Sequence, residues 1–142
     1  MTKSEISKLD ALWSKYVKEK AGYKCEYCQE EGRQLNPQGV WLEAAHIIGR
    51  TFRSTRWLLY NGMCLCSGCH SGYDQHRPIE KSIREQVIGL PKYEELCKTK
   101  QVIAKNQDYN EIRNKLMADF GEAQAIALFG GTANEEERPS NR

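Results

Sequence analysis

The chain has 142 residues, 39% of them hydrophobic, and a formal net charge of +2. That length suits one domain with a modest core of the kind that often leans on a metal or disulfide staple, and the near balance of charge says little about partners. No apolar run approaches the ~18 residues that a membrane span needs, and the N-terminal MTKSEISKLD has no signal-peptide character.

Ser4 to Lys20 reads as a helix, with Ile6, Leu9, Trp13, Tyr16 and Val17 at three- and four-residue spacing. Thr2 and Glu5 have the spacing of a capping box, and Gly22 ends the pattern. A polar loop follows over Glu30 to Gly39. Val40 to Ile48 is apolar and partly β-branched, as a strand is. Gly49 to Thr55 is an arginine-containing loop, and Asn61-Gly62 is a turn signal. Cys64-Leu65 forms a short second strand, and a short helix runs from about Cys69 to Gln75. Further helices are expected over Ile79 to Ile88, between Pro78 and Pro91, and over Lys92 to Thr99 and Tyr109 to Phe129. These divisions give one domain over 1–129, with a core over about 23–77 and a helical extension over 78–129. The polar tail 130–142 is expected to be disordered.

Two CxxC knuckles stand out: Cys25-Glu26-Tyr27-Cys28 and Cys66-Ser67-Gly68-Cys69. The two-residue gap lets consecutive thiolates turn onto one ion, and two such pairs close a tetrahedral zinc site. A cytoplasmic, reducing location is the default expectation, and there paired CxxC motifs read as metal ligands rather than disulfides. Isolated core cysteines have no reason to pair at this spacing, whereas Cys64 and Cys97 read as ordinary core cysteines, with Cys64 the substitute ligand. Two such motifs flanking a His/Asn pair also disfavour a redox role.

Between the knuckles lie His46 and Asn61, and His70 follows the last cysteine directly. Phosphodiester hydrolysis needs an activated water, a Lewis acid on the phosphate and a stabilised leaving oxygen. A neutral imidazole suits the base near pH 7. A second imidazole and a carboxamide can help hold a divalent ion. The order knuckle, strand, loop, short strand, knuckle, helix is a ββα unit.

Ala44-Ala45-His46-Ile47, Asn61 and Leu65-Cys66-Ser67-Gly68-Cys69-His70 resemble the HNH endonuclease motif. The resemblance covers Cys25 to about His76. It implies an α+β fold: a zinc-stapled ββα-metal core with flanking N- and C-terminal helices. It also implies cleavage of nucleic acid with a divalent metal, usually Mg²⁺ or Mn²⁺. Carried over, His46 is the general base, Asn61 the middle residue and His70 a metal ligand. More loosely, His46-Ile47-Ile48-Gly49-Arg50 with Ser54-Thr55-Arg56-Trp57, and the helical extension, resemble phage recombination nucleases of the NinG/Rap type. Those act on branched DNA, in bacterial or phage-infected cells.

One departure matters. Many HNH enzymes carry an Asp just before the first His, and this chain has Ala45. Glu43 shares the strand face of Ala45 and is long enough to help hold the ion. From Ala44 to Tyr73 there are three arginines (Arg50, Arg53, Arg56) and no acidic residue. Arginines beside the site can clamp phosphates of the DNA, although a solvated loop explains them equally well. Trp57 and Tyr60 are expected in core packing. His76 and Asp74, near His70, read as surface residues of the short helix. The rival class is a non-catalytic zinc module that binds nucleic acid; the missing Asp and modest charge favour it, while the His46/Asn61 pair favours the enzyme. A lone site nicks one strand, so double-strand cutting calls for a homodimer.

Overall fold

The computed structural model describes residues 1–28, 41–75 and 79–130. The expected loop over 30–39, residue Val40 at the expected strand start, His76 and the tail 131–142 lie outside them. Helix α1 spans Lys3–Lys20 and opens on the full capping box. The Thr2 hydroxyl accepts from Glu5 N–H at 3.1 Å, and the Glu5 carboxylate accepts from Thr2 N–H at 2.8 Å. Two of the orphan donors at the helix start are thereby satisfied. Leu9, Trp13 and Val17 are its buried face. Each such side chain contributes about 1.5–3 kcal/mol on leaving water.

Beyond α1 the chain turns through Gly22 at φ +66° and Tyr23 at φ +55°. This left-handed pair reverses the backbone and delivers Cys25 towards the sheet. The sheet is an antiparallel hairpin of β1 (Leu42–His46) and β2 (Gly62–Cys66). Leu42 faces Cys66, Ala44 faces Cys64 and His46 faces Gly62. Every residue of β2 is buried, because α1 and the following helix contact it.

β1 is shorter than the apolar run Val40 to Ile48 suggests. Trp41 lies outside the strand, 75% exposed. Ile47 and Ile48 leave the ladder because Asn61 captures them. Ile47 N–H donates to the Asn61 backbone carbonyl at 2.9 Å, and Ile48 N–H to its side-chain Oδ1 at 2.8 Å. A one-turn 3₁₀ helix over Leu59–Asn61 leads directly into β2.

Gly62 is not there for a positive φ; its backbone is extended, at φ −119°. It is needed because α1 lies directly on it: a Cβ there would meet the Val17 side chain and come within 2.7 Å of Trp13 Cζ2.

Helix α2 (Ser67–Asp74) starts two residues before the expected Cys69, capped by Cys66. Tyr73 on α2 donates its hydroxyl to the Ile47 carbonyl at 3.3 Å, tying the helix to the end of β1. Helix α3 (Ile79–Ile83) widens into a π turn over Arg84–Ile88, filling the expected span. Helix α4 (Leu90–Lys100) begins earlier than Lys92 because Pro91 sits in its first turn, where no N–H is required. Helix α5 (Tyr109–Ala125) continues as a π turn over Ile126–Gly130, so regular structure reaches the first residue of the expected tail. Tyr16 of α1 stacks on Phe120 of α5, with ring centroids 4.0 Å apart and planes 5° from parallel. The fold is thus α+β: a two-stranded sheet with flanking helices. No helix among the described residues is long and apolar enough to cross a membrane.

Candidate active site and metal centre

The four knuckle cysteines meet. The Sγ atoms of Cys25, Cys28, Cys66 and Cys69 all lie within 4.8 Å of one another, and Cys28 Sγ is 3.7 Å from Cys66 Sγ. Zn–S bonds of about 2.3 Å in a tetrahedron need S···S edges of ~3.8 Å. The four thiols therefore fit a structural zinc. Cys28 N–H points at Cys25 Sγ, 3.5 Å away, which is how a two-residue gap folds back on itself. Cys64 stands outside the cluster. It is fully buried, its N–H donates to the Glu26 carboxylate at 2.6 Å, and burial pushes its thiol up to about 12. Cys97 is a free, partly buried cysteine packed against the core.

His46 ends β1 and lines a cleft of about 530 Å³ together with Asp10, Trp13, Ser14, Arg50, His70 and Asp74. Its Nε2 lies 3.0 Å from the Arg56 carbonyl oxygen. A carbonyl only accepts, so Nε2 carries the proton and the neutral ring keeps Nδ1 as its bare nitrogen. Burial lowers the imidazole from 6.5 to about 4. The carbonyl contact and the Asp10 charge pull it back up, while the Arg50 and Arg56 charges push it down. The ring is therefore neutral across the physiological range.

Asn61 lies one residue before Gly62, the cross-strand partner of His46, and is fully buried. Its Oδ1 accepts from Ile48 N–H and its Nδ2 donates to the Ile48 carbonyl at 3.0 Å. Both ends of the carboxamide are spent on the backbone. Of the two roles the sequence allows Asn61, holding the ion or orienting the base, these bonds bear on the second, since they fix the chain just after His46.

The comparison with protein families matches residues 25–78 to the HNH endonuclease family model. Over this segment the chain is similar to the HNH endonuclease family. The match suggests nuclease activity. No curated protein and no solved structure matches the chain.

In the matched segment the last motif residue, His70, sits on α2 between two carboxylates. Nδ1 is 2.9 Å from Glu43 and Nε2 is 3.0 Å from Asp74. A neutral imidazole donates from one nitrogen only, so the second contact calls for a further proton or a cation. The two carboxylates sit on opposite nitrogens of the ring, so an ion held by His70 would meet at most one of them; among the described residues only the four cysteines converge as a metal cluster. Glu43, two residues before Ala45, is therefore beside the expected metal ligand, whereas Ala45 is wholly buried. Asp74 is a surface residue, 61% exposed, as expected, and pairs with His70 from there.

The arginines divide. Arg50 lines the His46 cleft and Arg53 is exposed. Arg56 is not a free phosphate clamp: its guanidinium is gripped by Asp10, with Nη2 at 2.8 Å and Nε at 3.2 Å, and stacks 5.1 Å over Trp57. Only 16% of that side chain is exposed. Trp57 is buried, as expected, and donates Nε1–H to the same Asp10 at 2.8 Å. Tyr60 departs from core packing. It is 40% exposed, with the amines of Lys20 and Lys92 at 5.1 Å and 4.7 Å from its ring centroid.

Two residues of α1 were missed as site residues. Trp13 stacks on the His46 ring at 3.9 Å and 11°, while its Nε1–H donates to the Leu58 carbonyl at 2.8 Å. Asp10 organises the loop that carries the Arg56 carbonyl. Trp13 was legible as part of an apolar stripe, and Asp10 looked like any charge beside it. Only the docking of α1 onto the hairpin, which no local pattern encodes, gives either its place beside His46.

Proposed function

We propose that this protein is a metal-dependent DNA endonuclease with His46 as its general base. The observation that carries the reading is the His46 ring. It is neutral through burial, has its Nε2 proton assigned by the Arg56 carbonyl, which leaves Nδ1 bare, and lines a cleft shared with His70. On this reading Nδ1 takes a proton from a water molecule. The hydroxide so formed attacks phosphorus, the P–O ester bond opposite breaks, and the departing oxygen takes a proton from solvent. A divalent ion, Mg²⁺ or Mn²⁺, supplies the positive charge that the phosphate and leaving oxygen need. His70 is the ligand we assign to it, with Glu43, beside its Nδ1, as the carboxylate that would stand in for the Asp absent at Ala45. Asn61 acts as a strut rather than a ligand: by fastening Ile48 it sets where β1 ends and hence where His46 stands. A structural zinc on Cys25, Cys28, Cys66 and Cys69 closes the hairpin, and such pre-organisation is what a site of this kind requires.

Arg50 and Arg53 contact phosphates on either side of the cut. Phosphate contacts position DNA without reading its sequence. α2, the helix at the site, offers few side chains for reading base edges, so weak sequence preference follows. Branched or kinked DNA costs less to deform into the cleft and is the favoured substrate. The non-catalytic alternative rests on the absent Asp and the modest net charge. A plasmid-nicking assay with Mg²⁺ or Mn²⁺ decides between them. Cleavage is expected, abolished by mild EDTA while the cysteine-bound zinc stays, and restored by added Mg²⁺ or Mn²⁺. A zinc-loaded, folded protein that binds but never cuts DNA is the outcome that establishes the rival.

A further inference from the structure

Two contacts hold the His46 ring from outside its own strand: the Arg56 carbonyl on Nε2 and the Trp13 indole on its face. The carbonyl belongs to the loop between the strands, and that loop is fastened from α1. Asp10 Oδ1 accepts from Trp57 Nε1–H at 2.8 Å and from Arg56 Nε–H at 3.2 Å, while Oδ2 accepts from Arg56 Nη2 at 2.8 Å. Asp10 and Trp13 are three residues apart and so share a face of α1. One helical turn therefore supplies both the ring stack and the loop clamp.

We infer that Asp10 is a positioning residue for the reaction: its grip on Arg56 and Trp57 holds the carbonyl that keeps the His46 proton on Nε2. The inference rests on the reading of His46 as the base. Asp10 is well suited to the task. Burial alone would raise its carboxyl, but the hydrogen bonds from Arg56 and Trp57 and the Arg56 charge outweigh this and hold it below the usual value. It stays a carboxylate, and charge-assisted bonds to it are the strong kind. If the carbonyl drifts, nothing favours one tautomer, and a ring protonated on Nδ1 cannot take a proton from water at that nitrogen.

The test uses the full zinc-loaded chain. ¹⁵N shifts of the His46 ring, recorded without substrate, report the tautomer, and nicking kinetics report kcat and KM. Asp10→Asn keeps the size of the side chain but removes the charged two-point grip. The expected result is a single Nε2–H tautomer in the wild type and a mixture in the variant. Its kcat should fall at least ~10-fold, on the scale that small misplacements of reacting groups cost, with KM for DNA unchanged. Asp10→Glu, which keeps a carboxylate, should recover part of the loss. If circular dichroism shows Asp10→Asn unfolded, Trp57→Phe replaces it: this variant removes one donor to Asp10 and should shift the tautomer in the same direction by less. An unchanged tautomer overturns the inference, as does a raised KM at constant kcat. If the wild type does not cut DNA, the nuclease reading falls, while the tautomer measurement still decides what Asp10 does.

Discussion

At the scale of single residues, the main consequence is a displaced titration. A histidine in water loses its proton near 6.5, and from sequence alone the cleavage rate would rise through that value. Burial has lowered His46 to about 4. We therefore predict a rate that is flat from about pH 5 to 8 and falls only as pH drops through about 4; a profile with its midpoint near 6.5 would show another base. His46→Ala should keep zinc and fold while losing about 10²- to 10⁴-fold in rate. The same shift has a stability sign. Between pH 6.5 and 4 the unfolded chain binds a proton at this site that the folded chain does not, so stability falls as pH falls through that window. The depressed Asp10 acts lower: its contribution is present above the unfolded value of about 3.9 and is lost as pH falls through its folded value. Urea unfolding of wild type and His46→Gln across pH 4–7 should show the wild-type slope flattened in the variant.

At the scale of elements, α1 and the hairpin meet where Gly62 leaves no room. Gly62→Ala drives a methyl group into Val17 and the Trp13 ring. It should destabilise the fold by about 1–3 kcal/mol, as overpacking does, and should also lower kcat because Trp13 is the platform under His46. Equal rates for the two proteins would mean the stack is incidental. The arginine loop makes a second, opposed pair of expectations. Arg50→Ala/Arg53→Ala should weaken binding to all DNAs alike and reduce the salt slope by about one to two phosphate contacts, with thermal stability intact. Arg56→Ala should leave the salt slope alone and cost about 2 kcal/mol of stability, because a half-buried charged hydrogen-bond pair with Asp10 is broken. A salt slope that moves with Arg56 instead would return that residue to the DNA surface. Sequence could not separate these arginines, since three equal charges in one loop differ only by what another element brings to them. Helices were readable wherever period and caps coincided, as at Thr2 and Glu5. The end of β1 was not, because a side-chain amide distant in sequence ends the ladder.

At the scale of the whole molecule, the cysteine staple was the most legible feature, since its spacing is local chemistry repeated twice. Cys66→Ser should remove the zinc and unfold the hairpin, because metal binding in such a site is folding free energy. Cys64→Ser should leave the metal in place. Zinc retained in the first variant, measured by elemental analysis, would sink the assignment. What the motif did not reveal is how far the working site spreads beyond it. α1 lies outside residues 25–78 and is itself fastened to α5 through the Tyr16–Phe120 stack. The family segment is thus not a self-sufficient cassette. Excised and grafted onto another protein it would carry its thiolates and its imidazole, but it would leave behind the tryptophan bed and the carboxylate latch. A transplant of this site would have to take both terminal helices with it.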